Sequence, residues 1–222
     1  MSGSYDKYDL TSLNSISYGT EPMPETLLLK LTKTFPKVKL IQKFGTSETG
    51  IVKILSKSSS STLIKIDDPN LESKIVENEL WLKSKTQILG YLNASMERFT
   101  DDGWFRTGDL VEVAEDGYLK IVGRNSDVIN VGGQKVLPAE VESILLQVEN
   151  IIDASVYAKP NPIMGNIVAA HIVIEKIEPL MVLKKRILRF CQGKLDNYKI
   201  PIDIQIMNKL SFSNRFKKIR HD

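Results

Sequence analysis

Cysteine is all but absent from this chain of 222 residues. A single thiol, Cys191, excludes an intrachain disulfide and a thiolate zinc centre, and such scarcity points to a reducing compartment, the cytoplasm. Histidine is almost as rare. His171 sits in an apolar run and His221 at the terminus, with no partners at metal or triad spacing, so a zinc hydrolase or a Ser-His-Asp hydrolase finds no support. No apolar run approaches the ~18 residues of a membrane span. The polar opening Met1-Ser2-Gly3-Ser4-Tyr5-Asp6 has no signal-peptide core. No repeat of fixed period is present, and the one low-complexity stretch, Ser56-Lys57-Ser58-Ser59-Ser60-Ser61, reads as a loop tip. The net charge of +3 is too small to argue for nucleic acid, and along the chain the aromatic residues do not interleave with basic ones as a stacking platform requires.

What is present is an ordinary globular composition, 42% hydrophobic and 26% charged, at a length that accommodates two domains. A strand is expected over Leu13 to Tyr18, an amphipathic helix from Pro24 to Phe35 with Leu27, Leu28, Leu31 and Phe35 on one side, and a strand at Val38 to Ile41. From Ile51 to Val122 the pattern changes to short alternating runs, including Leu63–Ile66, Glu79–Leu82 and Val111–Val113, with a hairpin signal at Glu115-Asp116-Gly117. This stretch predicts a small antiparallel sheet or barrel. Beyond Gly123 the order is mixed. A strand at Val128 to Val131 precedes a helix opened by Pro138, strands follow at Ala154 to Ala158 and Val168 to Ile174, and a helix from Leu180 to Leu195 leads to a last strand at Ile202 to Met207.

Three stretches carry chemistry. Phe44-Gly45-Thr46-Ser47-Glu48-Thr49-Gly50 combines backbone N–H groups, hydroxyls and one carboxylate at a strand end, a set suited to phosphate oxygens and a magnesium ion. Taken alone it reads as a polar surface turn sooner than as a site. In Gly103-Trp104-Phe105-Arg106-Thr107-Gly108-Asp109 a carboxylate follows a Thr-Gly turn, where it can accept from both vicinal hydroxyls of a ribose or simply cap the turn. The third runs from Gly123-Arg124 through Ser126 and Gly132-Gly133 to Pro138-Ala139-Glu140-Val141-Glu142.

In this order and spacing the three stretches resemble the adenylate-forming superfamily of acyl- and aryl-CoA synthetases, nonribosomal-peptide adenylation domains and luciferases, most closely an acyl-CoA synthetase. The resemblance extends to Tyr18-Gly19-Thr20-Glu21-Pro22-Met23, similar to the family's adenine-site turn, and covers nearly the whole chain. It implies that Thr20, Glu21, Pro22, Phe44, Gly45 and Thr46 line the nucleotide. It places Ser47 at the phosphate-contacting position, where the family has Thr, and gives Glu48 the magnesium. Asp109 and Arg124 would hold the ribose hydroxyls. Lys217, in a block similar to the family's Leu-Pro-x-Thr-x-x-Gly-Lys, falls at the adenylation lysine that bridges the substrate carboxylate and the α-phosphate. Ser126 falls at the hinge position, and Gly132 and Gly133 at a turn beside the pantetheine arm, although that pair reads equally as a plain hairpin turn.

The implied architecture is an α/β unit and a small antiparallel β-barrel ending a large AMP-binding domain over residues 1–122, a hinge at 123–127, and a mobile α+β lid domain over 128–222. The implied ligands are ATP or AMP, Mg2+, coenzyme A and a small carboxylic acid. The alternatives are a domain that loads an acyl carrier protein and a non-catalytic nucleotide-binding module. The family's upstream Ser/Thr- and Gly-rich loop ending in Lys does not occur among these 222 residues, so the chain is expected to be a portion of a longer enzyme, poor in activity alone, with an exposed apolar face through which it could dimerise adventitiously.

Overall fold

The computed structural model describes residues 4–212 and Lys218. The chain divides into two compact units, one of residues 11–126 and one that takes residue 127 onward together with the segment up to Leu10.

The first unit opens with β1 (Ser15–Tyr18), α1 (Glu25–Thr34) and β2 (Lys39–Gln42), the strands pairing in parallel from Ser15↔Lys39 to Tyr18↔Gln42. Pro24 pre-sets the backbone for the helix start, and Glu25 in its first turn complements the helix dipole. Leu28 is fully buried beneath it, and Lys120 donates to Glu25 at 2.6 Å, tying the helix to the sheet that follows. Next come the hairpin β3 (Phe44–Thr46) and β4 (Gly50–Val52) and then β5 (Ile54–Ser56), β6 (Leu63–Ile66), β7 (Leu71–Val76), β8 (Glu79–Ser84), β9 (Phe105–Val113) and β10 (Leu119–Arg124).

These last six form an antiparallel sheet of order β5-β6-β10-β9-β8-β7. The expected barrel does not close: β5 and β7 are edges with one partner strand each. The edges explain why. β5 is three residues long and β7 carries Glu72 and Lys74, the short and charged character that keeps sheet edges from pairing further. Phe44, Val52, Ile64, Leu80, Leu82, Val111 and Leu119 build the core of the unit.

On β8 the alternation of strand side chains puts Leu80 and Leu82 on the core face and Trp81 on the other. There Lys74 lies 5.0 Å from the Trp81 ring and 4.2 Å from the Trp104 ring, and Arg106 lies 5.1 Å from Trp81. Aromatic and basic side chains therefore do interleave, against the sequence expectation. They do so across strands, where Lys74↔Trp81 and Trp81↔Arg106 are register partners.

The second unit begins with the hairpin β11 (Ile129–Val131) and β12 (Gln134–Val136), then α2 (Pro138–Leu145), β13 (Ile151–Asn161), β14 (Gly165–Ile174), α3 (Leu180–Cys191) and β15 (Asp203–Ile206). β13 and β14 pair antiparallel, and β15 adds to β14 in parallel, which α3 makes possible as the crossover. Val141 and Leu145 of α2 and Leu183, Ile187 and Cys191 of α3 pack on Ala154, Val156, Val168, Ala170, Ile172 and Ile204 of the sheet. α3 stops at Cys191, short of the expected Leu195, because Gln192 turns extended and Gly193 takes a φ of +76°. The linker expected from Gly123 is also shorter. Gly123 and Arg124 are still strand, paired with Leu110 and Asp109, and a 3-10 turn over Asn125–Asp127 follows. No helix among the described residues is long and apolar enough to cross a membrane.

Leu82 is wholly buried where β8 faces the core, so Leu82→Ala should cost the first unit about 2–5 kcal/mol. Denaturant-dependent hydrogen exchange at the Ile64 and Val111 amides would read that loss.

Candidate functional site

The site begins at the carboxyl ends of β1 and β2, the place where open α/β sheets take ligands. Lys43 N donates to Tyr18 O at 2.7 Å, and a Cβ on Gly19 would lie 2.0 Å from Lys43 O, so only glycine lets the two strand ends run this close. That approach seats the turn holding Thr20, Glu21 and Pro22 beside the start of β3. Thr20 is exposed and the other two are half-buried.

At the tip of the β3–β4 hairpin, Thr49 N donates to Thr46 Oγ1 at 3.0 Å and the two hydroxyls share a hydrogen bond of the same length. Thr46 and the buried Thr49 thus spend their hydroxyls on the turn. Gly45 is required by packing, since a Cβ there would meet Gly50 O at 2.6 Å. The Phe44 ring is only 7% exposed and belongs to the core, so what it offers a ligand is chiefly its backbone. The side chains presented outward are Ser47, which is exposed, and Glu48.

Glu48 is held at both ends: Ile88 N donates to its backbone carbonyl at 2.9 Å, and the Tyr91 hydroxyl donates to Oε1 at 2.7 Å. Partial burial pushes the carboxyl up, but the Tyr91 hydrogen bond, hydrogen bonds within the loop and the Arg98 charge outweigh it, so Glu48 titrates below the ordinary glutamate value. Tyr91 moves up, by burial and by the Glu48 carboxylate it serves.

The Thr-Gly-Asp stretch lies inside β9. Thr107 Oγ1 donates to Leu80 O at 2.6 Å and accepts from Asp109 N at 3.0 Å, while Gly108, at φ +73°, donates its N–H to Glu79 at 2.8 Å. Asp109 and Arg124 face each other across β9 and β10, with Arg124 Nε donating to Asp109 Oδ1 at 3.1 Å. The carboxylate is 8% exposed and the guanidinium 44%, so the pair shows a fixed, ionised rim. A buried carboxylate oriented by a cation is suited to accept from vicinal hydroxyls.

Two residues that the sequence reading passed over join this network. Arg98 donates from Nε and Nη2 to Arg106 O at 3.0 and 2.8 Å and from Nη2 to Thr107 O, with its guanidinium 4.7 Å from the Phe105 ring centre. Tyr91 carries Glu48. Neither gives a local signal, because Arg98 acts on backbone carbonyls eight and nine residues on and Tyr91 reaches back to a loop forty-three residues earlier. Among the described residues no three His, Cys, Asp or Glu side chains gather to hold a metal. Mg2+ commonly takes one or two carboxylates and completes its shell with water and substrate phosphates, so Glu48 fits a magnesium shared with a nucleotide and not an all-protein cage.

In the second unit Gly132 and Gly133, at φ +55° and +87°, form the two-residue β11–β12 turn, a geometry that glycine pairs favour. Gly132 N donates to Met164 O at 2.9 Å and Gly133 N to Asn130 Oδ1 at 2.9 Å. Ser126 lies in the 3-10 turn between the units. Lys217 lies outside the described residues. Its neighbour Lys218 donates to Ala154 O at 2.6 Å and pairs with Asp153 at 3.0 Å and with the buried Glu142 at 3.8 Å.

Residues 140–217 match the AMP-binding enzyme C-terminal domain. This chain belongs to the adenylate-forming superfamily. It is 30% identical to a 2-succinylbenzoate–CoA ligase of Bacillus licheniformis over 95% of the chain and 46% of the relative, and 29% identical to the 4-coumarate–CoA ligase-like 6 protein of Arabidopsis thaliana over 95% of the chain and 40% of that relative. The chain thus spans less than half the length of these curated relatives. Among solved structures, o-succinylbenzoate CoA synthetase from Bacillus subtilis, in complex with its acyl-adenylate intermediate, superposes with a TM-score of 0.77 at 26% identity, over 95% of this chain and 46% of that one. The adenylate-forming fold is thereby shared.

A groove of about 830 Å³ between β2 and the β4–β5 segment, lined among others by Lys39, Ile41, Ile51, Lys53, Leu55 and Asp68, contains none of the candidate site residues expected from the sequence. Its size does not make it the chemical site.

Replacing Tyr91 by Phe removes the hydroxyl that favours the ionised form of Glu48, so the Glu48 pKa should rise toward the ordinary value, as read by carboxyl NMR titration. Stability linked to the ionised group is complete above the ordinary glutamate range and fades as pH falls through the depressed value. In Tyr91→Phe that contribution should be smaller, its loss still starting in the ordinary glutamate range but finishing at a higher pH than in the unaltered chain.

Proposed function

We propose that these residues form the nucleotide half-site and the lid portion of an AMP-forming acyl-CoA synthetase. In the whole protein a carboxylate would attack the α-phosphorus of ATP, forming an acyl-adenylate and releasing pyrophosphate. The thiol of coenzyme A would then attack the acyl carbon and expel AMP. The observation that carries the reading is the Asp109–Arg124 pair, an ionised carboxylate fixed across the strands and wired through Thr107 to β8.

In this reading Asp109 accepts from the ribose hydroxyls while Arg124 holds it charged and oriented. The turn at Thr20, Glu21 and Pro22 and the backbone of Phe44, Gly45 and Thr46 border the adenine, and the exposed Ser47 hydroxyl meets phosphate. Magnesium, held by Glu48 together with phosphate oxygens, would supply charge neutralisation for the departing pyrophosphate. Lys217 is assigned to the charge that builds as the substrate carboxylate meets phosphorus. Ser126 is assigned as the pivot of the lid, for which a residue able to absorb a change in φ and ψ suffices. Gly132 and Gly133 are assigned to the passage of the pantetheine arm, where the absence of side chains permits close approach. That the curated relatives are named CoA ligases supports a CoA thiol over a carrier protein as acceptor.

Calorimetric titration with AMP tests the half-site. Charge-assisted hydrogen bonds contribute about 1.5–3 kcal/mol each, so Asp109→Asn should weaken AMP binding by roughly tenfold or more. Unchanged affinity in that variant would sink the assignment of Asp109 to the ribose.

A further inference from the structure

Glu48 and Arg98 carry opposite charges on one connected cluster, yet neither has an ion-pair partner among the described residues. The cluster is continuous. The Tyr91 ring, whose hydroxyl holds Glu48, meets Phe99 edge-on at 6.4 Å, Phe99 lies 4.9 Å from Phe105, and Phe105 carries the Arg98 guanidinium on its face. A carboxylate and a guanidinium placed this way but unpaired leave room for a ligand that satisfies both, a phosphate with its metal ion. The metal would turn to Glu48 and the free phosphate oxygens to Arg98.

Arg98 is prepared for that task. Its Nε and Nη2 are committed to the carbonyls of Arg106 and Thr107, which fixes the plane of the guanidinium, while Nη1 has no partner among the described residues. A guanidinium has five N–H donors in a rigid fork, so immobilising one side aims the other at little further entropic cost. The direction is favourable too. Nη2 sits against the Thr107–Gly108 segment, and even a Cβ added to Gly108 would come within 3.4 Å of it, so the cation stands one residue from Asp109.

We propose that Arg98 is a phosphate-binding residue, its free Nη1 edge donating to the α-phosphate of the nucleotide whose ribose Asp109 holds. This rests on the nucleotide reading of the site. The competing role is that of a latch which only shapes the Thr107–Gly108 loop.

AMP and adenosine differ by the phosphate alone, so their affinity ratio separates the two roles. Titrations without magnesium would compare the unaltered chain with Arg98→Leu and with Arg98→Lys, which keeps the alkyl stem over Phe105. The expected result is that the unaltered chain prefers AMP and that Arg98→Leu loses about tenfold of AMP affinity, the size of one charge-assisted hydrogen bond, while adenosine binding is unchanged. If Arg98→Leu loses both ligands, the loop has been disturbed and Arg98→Lys decides: a reduced AMP-to-adenosine ratio upholds the proposal and an unaltered ratio overturns it. Equal AMP affinity in Arg98→Leu and the unaltered chain overturns the role of Arg98 and leaves the nucleotide site standing. Binding of neither ligand by the unaltered chain overturns the nucleotide reading and this proposal with it.

Discussion

The hydroxyl of Thr107 is the point on which the first unit's site turns. It is buried, donates to the carbonyl of Leu80 on the neighbouring strand and accepts the amide of Asp109 two residues on. Each bond contributes about 1 kcal/mol net, but a buried hydroxyl left unsatisfied costs about 1–3 kcal/mol, so the arrangement is held more by what its loss would expose than by what it gains. Around it the register between β8 and β9 shifts, Glu79 pairing with Leu110 but Trp81 with Arg106. The irregularity frees the Gly108 N–H for the Glu79 side chain and turns Asp109 toward Arg124. A regular ladder would have spent those groups on the neighbouring strand.

A comparable constraint operates in the second unit through a charge. Glu142, in the middle of α2, is 4% exposed and accepts from the amide of Val156 at 2.9 Å, which ties the helix to β13. A carboxylate this deep is costly unless compensated, and Lys218 supplies the opposite charge from the far end of the chain while also satisfying Asp153 and the Ala154 carbonyl. Phe212 and Lys218 form a β-bridge with each other. The lysine at position 218 therefore does structural work, joining α2 to β13.

The parts legible in the sequence were those with a short-range signature. The period of α1, the β6 boundaries, the Gly-Gly turn and the placement of Glu48 in a turn follow from local pattern, whereas the Thr-Gly turn expected before Asp109 lies within the strand β9. The parts that were not legible are non-local. Whether the antiparallel sheet closes depends on its two edges, β5 and β7, and no alternation pattern reports which strands will be edges. The basic and aromatic residues are separated along the chain and interleave only through cross-strand register. Tyr91 and Arg98 sit in a segment without regular structure, where hydrophobic periodicity has nothing to say, and both act on partners brought near by the strands around them.

The motif residues also divide in a way that composition does not show. Phe44, Thr46 and Thr107 turn inward and hold the scaffold, while Ser47, Glu48, Asp109 and Arg124 carry the groups that the proposed function assigns to the nucleotide and its metal. This division accounts for where the chain departs from the pattern it resembles. The pattern that the chain resembles has Tyr where this chain has Phe44, and a phenol there would need a hydrogen-bond partner for its hydroxyl in an almost fully buried apolar cluster of Val52, Ile64 and Leu80, so Phe fits this interior without that demand. At position 47 the side chain is exposed and only the hydroxyl matters, so Ser for Thr gives up a methyl group that would have been largely in water. Both departures fall where the physical requirement is weakest, and the positions whose partners are fixed on two sides, Thr107 and Asp109, keep the residues that the pattern demands.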